Sequence, residues 1–193
     1  MNRPRLPSLP LRFLAVSLAL GVASAACGAP QNRAQIELSK LPAYEGRDLE
    51  LYDDLIEPSA LGLTLDRPTF RGDPKFKERA QKANVVARVR VTTVTIDKVD
   101  DKSTYHVTMS VIGEAFTGAG GDKTLELTLR EGDKSYGVVN QLRESLRDKT
   151  LLAMWKRYHQ GDDATQHYYV APDDDGTVSA AKEAIVLHEV SKK

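Results

Sequence analysis

The stretch that decides the fold is Val85-Val86-Ala87-Arg88-Val89-Arg90-Val91-Thr92-Thr93-Val94-Thr95-Ile96. Val85, Ala87, Val89 and Val91 alternate with their neighbours, as the period-two side-chain geometry of a half-buried strand requires. Val94 and Ile96 continue the alternation in the opposite phase, so one extra residue must sit near Thr92 and Thr93. A long strand with a β-bulge satisfies both runs. Downstream, Tyr105, Val107, Met109 and Val111 form a second alternating set, and Leu125, Leu127 and Leu129 a third, separated by the Gly-rich turn Gly118 to Asp122. Helical spacing then takes over at Val138, Val139, Leu142 and Leu146, with Ser135 as a possible cap. A fourth strand over Thr150 to Tyr158 and a fifth over His167 to Ala171 flank the turn Gln160-Gly161-Asp162-Asp163. The pattern ends in an amphipathic helix from about Thr177 to Glu189, with Val178, Ala181 and Ile185 as its buried stripe.

Upstream of this body the pattern is looser. Asp73-Pro74 is a helix start, with Asp as N-cap and Pro at the first helical position, followed by helix formers over Lys75 to Ala83. Leu49, Leu51, Leu55 and Ile56 suit one face of a short helix, whereas Leu61, Leu63 and Leu65 alternate like a short strand. Residues 43–83 therefore read as an irregular extension with a short helix, packed across the main domain. Residues 27–42 are polar, bracketed by Pro30 and Pro42, and read as a flexible tether.

Three strands, a helix, then two strands, with a long bulged first strand, is an element order similar to that of OB-fold barrels. The resemblance covers residues 84–171 and rests on element order, so an unrelated α+β sandwich stays open. The expected class is α+β, mainly β: a five-stranded OB-like barrel with a helix between strands three and four, over residues 84–193 with the C-terminal helix included.

The chain has 193 residues, one Cys, and 27 basic against 27 acidic side chains. A single Cys excludes an internal disulfide framework and multi-cysteine zinc sites. Residues 1–26 carry Arg3, Arg5 and Arg12 and no acid, and Phe13 to Ala26 is apolar or small throughout. That is the layout of a secretory signal peptide, too short for the roughly 20 residues of a bilayer span. Pro4 separates Arg3 from Arg5, so there is no twin-arginine pair. Ala25-Ala26-Cys27-Gly28, with Ser24 where leucine is usual, resembles a bacterial lipobox. The resemblance implies that Cys27 becomes the lipidated first residue of an envelope lipoprotein, anchored in the outer membrane and facing the periplasm. Plain cleavage after Ala25 or Ala26 is the alternative. Without residues 1–26 the chain has 24 basic and 27 acidic side chains, a formal charge of −3.

The two loops that OB-like barrels commonly use, Asp97 to Lys102 and Gln160 to Asp163, both lean acidic, which disfavours nucleic acid as a partner. His159 and His167 flank the last turn, with Asp162 and Asp163 at its tip. In a register symmetric about the loop these four approach one another as a zinc or copper site, against the alternative of half-exposed cross-strand neighbours. Trp155 reads as core. Gly118 to Thr124 fails as a phosphate loop, because Asp122 and Thr117 stand where the motif needs glycine. Asp173-Asp174-Asp175-Gly176 fails as a calcium loop and reads as a turn into the last helix. No G-x-S-x-G or H-E-x-x-H occurs, and the acidic pairs Asp53-Asp54 and Asp100-Asp101 read as solvated surface. The functional expectation is a membrane-anchored, non-enzymatic module that binds an envelope protein or small ligand and needs no cofactor. A secreted metal-binding protein and an envelope-polymer hydrolase are the alternatives.

Overall fold

A computed structural model describes residues 40–64, 69–118, 122–161 and 163–192. The chain forms α1 (Arg47–Leu51), β1 (Leu55–Ile56), α2 (Pro74–Lys82), β2 (Val85–Val99), β3 (Lys102–Val111), β4 (Thr124–Leu129), α3 (Tyr136–Leu146), β5 (Thr150–Gln160), β6 (Asp163–Pro172) and α4 (Asp175–Ser191). Short 3-10 turns occupy Pro58–Leu61 and Phe70–Gly72. One curled sheet holds all the strands in the order β1-β6-β5-β2-β3-β4. Every neighbouring pair is antiparallel except β1 with β6. The mixed α/β, largely β character and the run of three strands, helix, two strands are as the sequence implies. Two points are corrected. The sheet has six strands, because Leu55 and Ile56 pair with Tyr169 and Val170 instead of continuing a helix. Leu61 closes a 3-10 turn and Leu63 is exposed, so the expected short strand there is absent, and Leu65 lies outside the described residues.

The bulge falls where the phase change demands it. Val91 pairs with Met109 and Thr93 with Thr108, leaving Thr92 unmatched. Before the bulge Val85, Ala87, Val89 and Val91 face one side of the sheet, and after it the side chains of Val94 and Ile96 return to that side, opposite Val107 and Tyr105. The β2–β3 hairpin closes through Asp100 and Asp101, both at positive φ (48° and 64°), the two-residue turn that suits the strand twist.

Each face of the sheet is covered. On the first, Trp155, Tyr105, Met109, Leu125, Leu127 and Leu129 form a core with Val139 and Leu146 of α3. Trp155 is buried there, as expected. On the second, Val86, Leu152, Met154, Tyr158 and Tyr169 pack against Phe76 and Ala80 of α2 and Ala180, Ala181, Ala184 and Ile185 of α4. The alanines let α4 lie close to the sheet, and burial of apolar area at roughly 25 cal/mol per Å² is what holds the layers together without a disulfide. Asp73 caps α2 by accepting from the Lys75 N–H at 2.8 Å, and Asp174 caps α4 by accepting from Thr177 N–H at 2.8 Å. Ser135 stands at the N-cap position of α3, as expected, but its side chain makes no cap bond to the helix. Its buried Oγ donates to the Asp54 carbonyl and accepts from the Ile56 N–H, both at 2.7 Å, and so fastens β1 to the start of α3.

Candidate functional site

Alternation along β6 sends His167 to the second face of the sheet, opposite Lys156 of β5. Two segments far away in sequence converge on it. The first is the stretch leading into α1. His159 N–H donates to the Pro42 carbonyl at 3.0 Å and Ala43 bridges to His159, so Pro42 and Ala43 line the part of β5 that β2 does not reach. Tyr44 follows, and its ring stacks on His167 with centroids 3.5 Å apart and planes 7° apart. Its hydroxyl donates to the Tyr52 carbonyl. The second is the turn before β1, where Asp54 adopts φ 54°, a conformation Asp tolerates better than most residues.

That turn places the Asp54 carboxylate across the end of the site. Oδ1 accepts from the Tyr168 N–H at 3.1 Å, and Oδ2 lies 2.8 Å from His167 Nδ1. With a carboxylate as partner, Nδ1 carries a proton and donates a hydrogen bond to Asp54. Nε2 is buried and has no hydrogen-bond partner. Tyr158 packs at 5.7 Å from the imidazole and 5.0 Å from Tyr44. Lys156 and Asp48 form a largely buried ion pair at 2.8 Å beside it. Burial, reinforced by Asp54, pushes the Tyr44 phenol far above its ordinary value, and burial reinforced by Asp48 does the same to Tyr158. A carboxylate orienting an imidazole is two parts of an acid–base constellation. No hydroxyl or thiol among the described residues hydrogen-bonds to Nε2, and Tyr44 covers the ring.

The register separates the two histidines expected to share a metal site. The β5–β6 turn is tight, with Gln160 opposite Asp163, so His159 faces Ala164 and His167 faces Lys156. The two histidines stand three positions apart along the ladder, about 10 Å, and on opposite faces, because side chains alternate every residue. Asp163 sits at the turn, away from His167, while Asp162 lies outside the described residues, as does Cys27. Among the described residues no group of three or more His, Cys, Asp or Glu side chains could hold a metal ion. The reading of Asp53-Asp54 as solvated surface is also corrected. Asp53 is largely buried and bridges Arg79 at 3.4 Å and Lys134 at 2.8 Å, and Asp54 orients His167. The one signal that could have found this site is an Asp pair just ahead of a short apolar run, where a left-handed turn is cheap for Asp.

The chain matches no protein-family model, no curated protein and no solved structure.

Proposed function

We propose that this protein is an exported envelope lipoprotein, held on the outer membrane by acyl chains on Cys27, whose domain acts as a non-enzymatic interaction module. The observation that carries the reading is the basic, then apolar, then small-residue run of residues 1–26 ending at the chain's single Cys. Several acyl chains on one residue, at about 0.8 kcal/mol per buried CH₂, hold a protein stably where one chain would not. The partner is an envelope protein or small ligand, and the OB-like order of β2 to β6 around α3 is part of the same proposal. In its favour, Asp122, just ahead of β4, pairs with Arg157 of β5 and accepts from Gln166 of β6 at 2.7 Å. Side chains thus bridge from one margin of the curled sheet toward the strands near the other.

A hydrolase reading has one observation behind it, the Asp54–His167 pair. It is the weaker, because a general base must reach the proton it takes, and Nε2 is enclosed beneath Tyr44. The anchor is tested by Cys27→Ser. Radiolabelled palmitate should enter the wild type and not the variant, and the variant should move from the membrane to the soluble fraction. Unlabelled wild type, or a variant that still sediments with membranes, overturns the reading.

A further inference from the structure

Among the described residues, half of β2 has no strand neighbour on one side. Its pairing with β5 ends at Arg90 and Thr150, and Val91 N–H makes the last bond, to the Lys149 carbonyl at 3.0 Å. Beyond the bulge β2 runs on to Val99, paired among the described residues with β3 alone. The ladder phase identifies which main-chain groups are left over. Ile112 N–H bonds to the Arg88 carbonyl and Val111 N–H to the Lys123 carbonyl, so even-numbered β3 residues bond to β2 and odd-numbered ones to β4. After the bulge the β2 partners of His106, Thr104 and Lys102 are Thr95, Asp97 and Val99. The N–H and C=O groups of Val94, Ile96 and Lys98 therefore point away from β3, and no other described strand pairs with them. The same segment exposes two large apolar side chains, Ile96 (37%) and Val99 (68%). A long edge with free donors and apolar side chains is a template for another strand, and native proteins ordinarily cover one.

We propose that this overhang is the interface of a twofold dimer, in which β2 of one copy pairs antiparallel with β2 of a second across Ile96. The register follows from the residues. Setting Ile96 opposite Ile96 pairs Val94 with Lys98 at both ends, so all the outward groups are used. A shift one way opposes Asp97 to Asp97, and a further shift opposes Lys98 to Lys98, which like charges disfavour. A shift the other way runs Lys98 onto the bulge at Thr92. In the favoured register the lysine stem covers Val94 while its ammonium reaches water. The acidic tip Asp100-Asp101 of one copy is carried toward Lys149 of the other, the residue whose carbonyl takes the Val91 N–H. Two three-stranded wings would thereby join into one continuous sheet.

The test uses the full chain carrying Cys27→Ser, so that an introduced cysteine is its only thiol. Sedimentation at roughly 100 μM, where even micromolar association is nearly complete, should show a dimer. Ile96→Lys should weaken association at least about tenfold with an unchanged circular dichroism spectrum. Ile96→Cys should oxidise to a covalent dimer, because residues facing each other in a hydrogen-bonded antiparallel pair have Cα atoms about 5.5 Å apart, within disulfide range. Lys98→Cys, displaced from the axis, should not. A monomer at that concentration, a dimer indifferent to Ile96→Lys, or cross-linking at position 98 in place of 96 overturns the proposal.

Discussion

Ser135 shows how one small side chain holds distant segments together. It is fully buried, and its hydroxyl satisfies the Asp54 carbonyl and the Ile56 N–H, groups some 80 residues earlier in the chain. Ser135→Ala strands both in a dry interior. Unsatisfied buried groups cost about 1 to 3 kcal/mol each, so the variant should lose about 3 kcal/mol in urea unfolding with an unchanged slope. Loss under about 0.5 kcal/mol would mean that water reaches these groups. The Asp54–His167–Tyr44 assembly has the same non-local character. Sequence inspection finds His167 but pairs it with His159, its nearest chemical match, because the true partners lie more than a hundred residues away. Side-chain convergence of this kind depends on the path of the chain around the sheet and leaves no spacing to detect.

At the scale of the element, β2 is the most informative strand because its side-chain phase changes within it. The bulge is legible at Thr92 and Thr93 for a physical reason: a strand with one buried face must return its apolar residues to that face after any irregularity. Deleting Thr92 should put Val94 and Ile96 on the wrong side, disrupt pairing with β3, and abolish cooperative thermal unfolding. Inserting one glycine between Asp100 and Asp101, at an exposed tip, should cost no more than about 1 kcal/mol. Equal damage from both changes would show that the phase is not fixed by the core. What the sequence concealed at this scale is β1. Two residues carry no period, and Leu55 and Ile56 become a strand only because β6 offers an unpaired edge and Ser135 an acceptor. The turn between β5 and β6 was legible by composition, but its tightness was not, and that tightness sets which residues face each other.

For the molecule as a whole, the concentration of phenols at the joins between layers links folding to alkali. Burial is the main cause that raises Tyr44, Tyr52, Tyr158 and Tyr168 well above the ordinary value of 10.0. The folded state therefore favours the neutral phenols, whereas the unfolded chain ionises near the ordinary value. Their contribution to stability is complete below that pH and is lost as pH rises through and beyond it. Tyrosinate absorbance should accordingly appear for these residues together with unfolding, in one transition, and Tyr44→Phe should make the protein more tolerant of high pH. Gradual ionisation with the secondary structure intact would contradict this.

The way Pro42 to Tyr44 joins the sheet has a mechanical consequence. A pull reaching Pro42 from the N-terminal side loads the His159–Pro42 hydrogen bond and the flat contact of Tyr44 on His167. The join would serve as a fuse. Under rising force it should part early, freeing the imidazole and the end of β5 while the six strands stay together, so that tension itself would uncover a surface that is closed at rest.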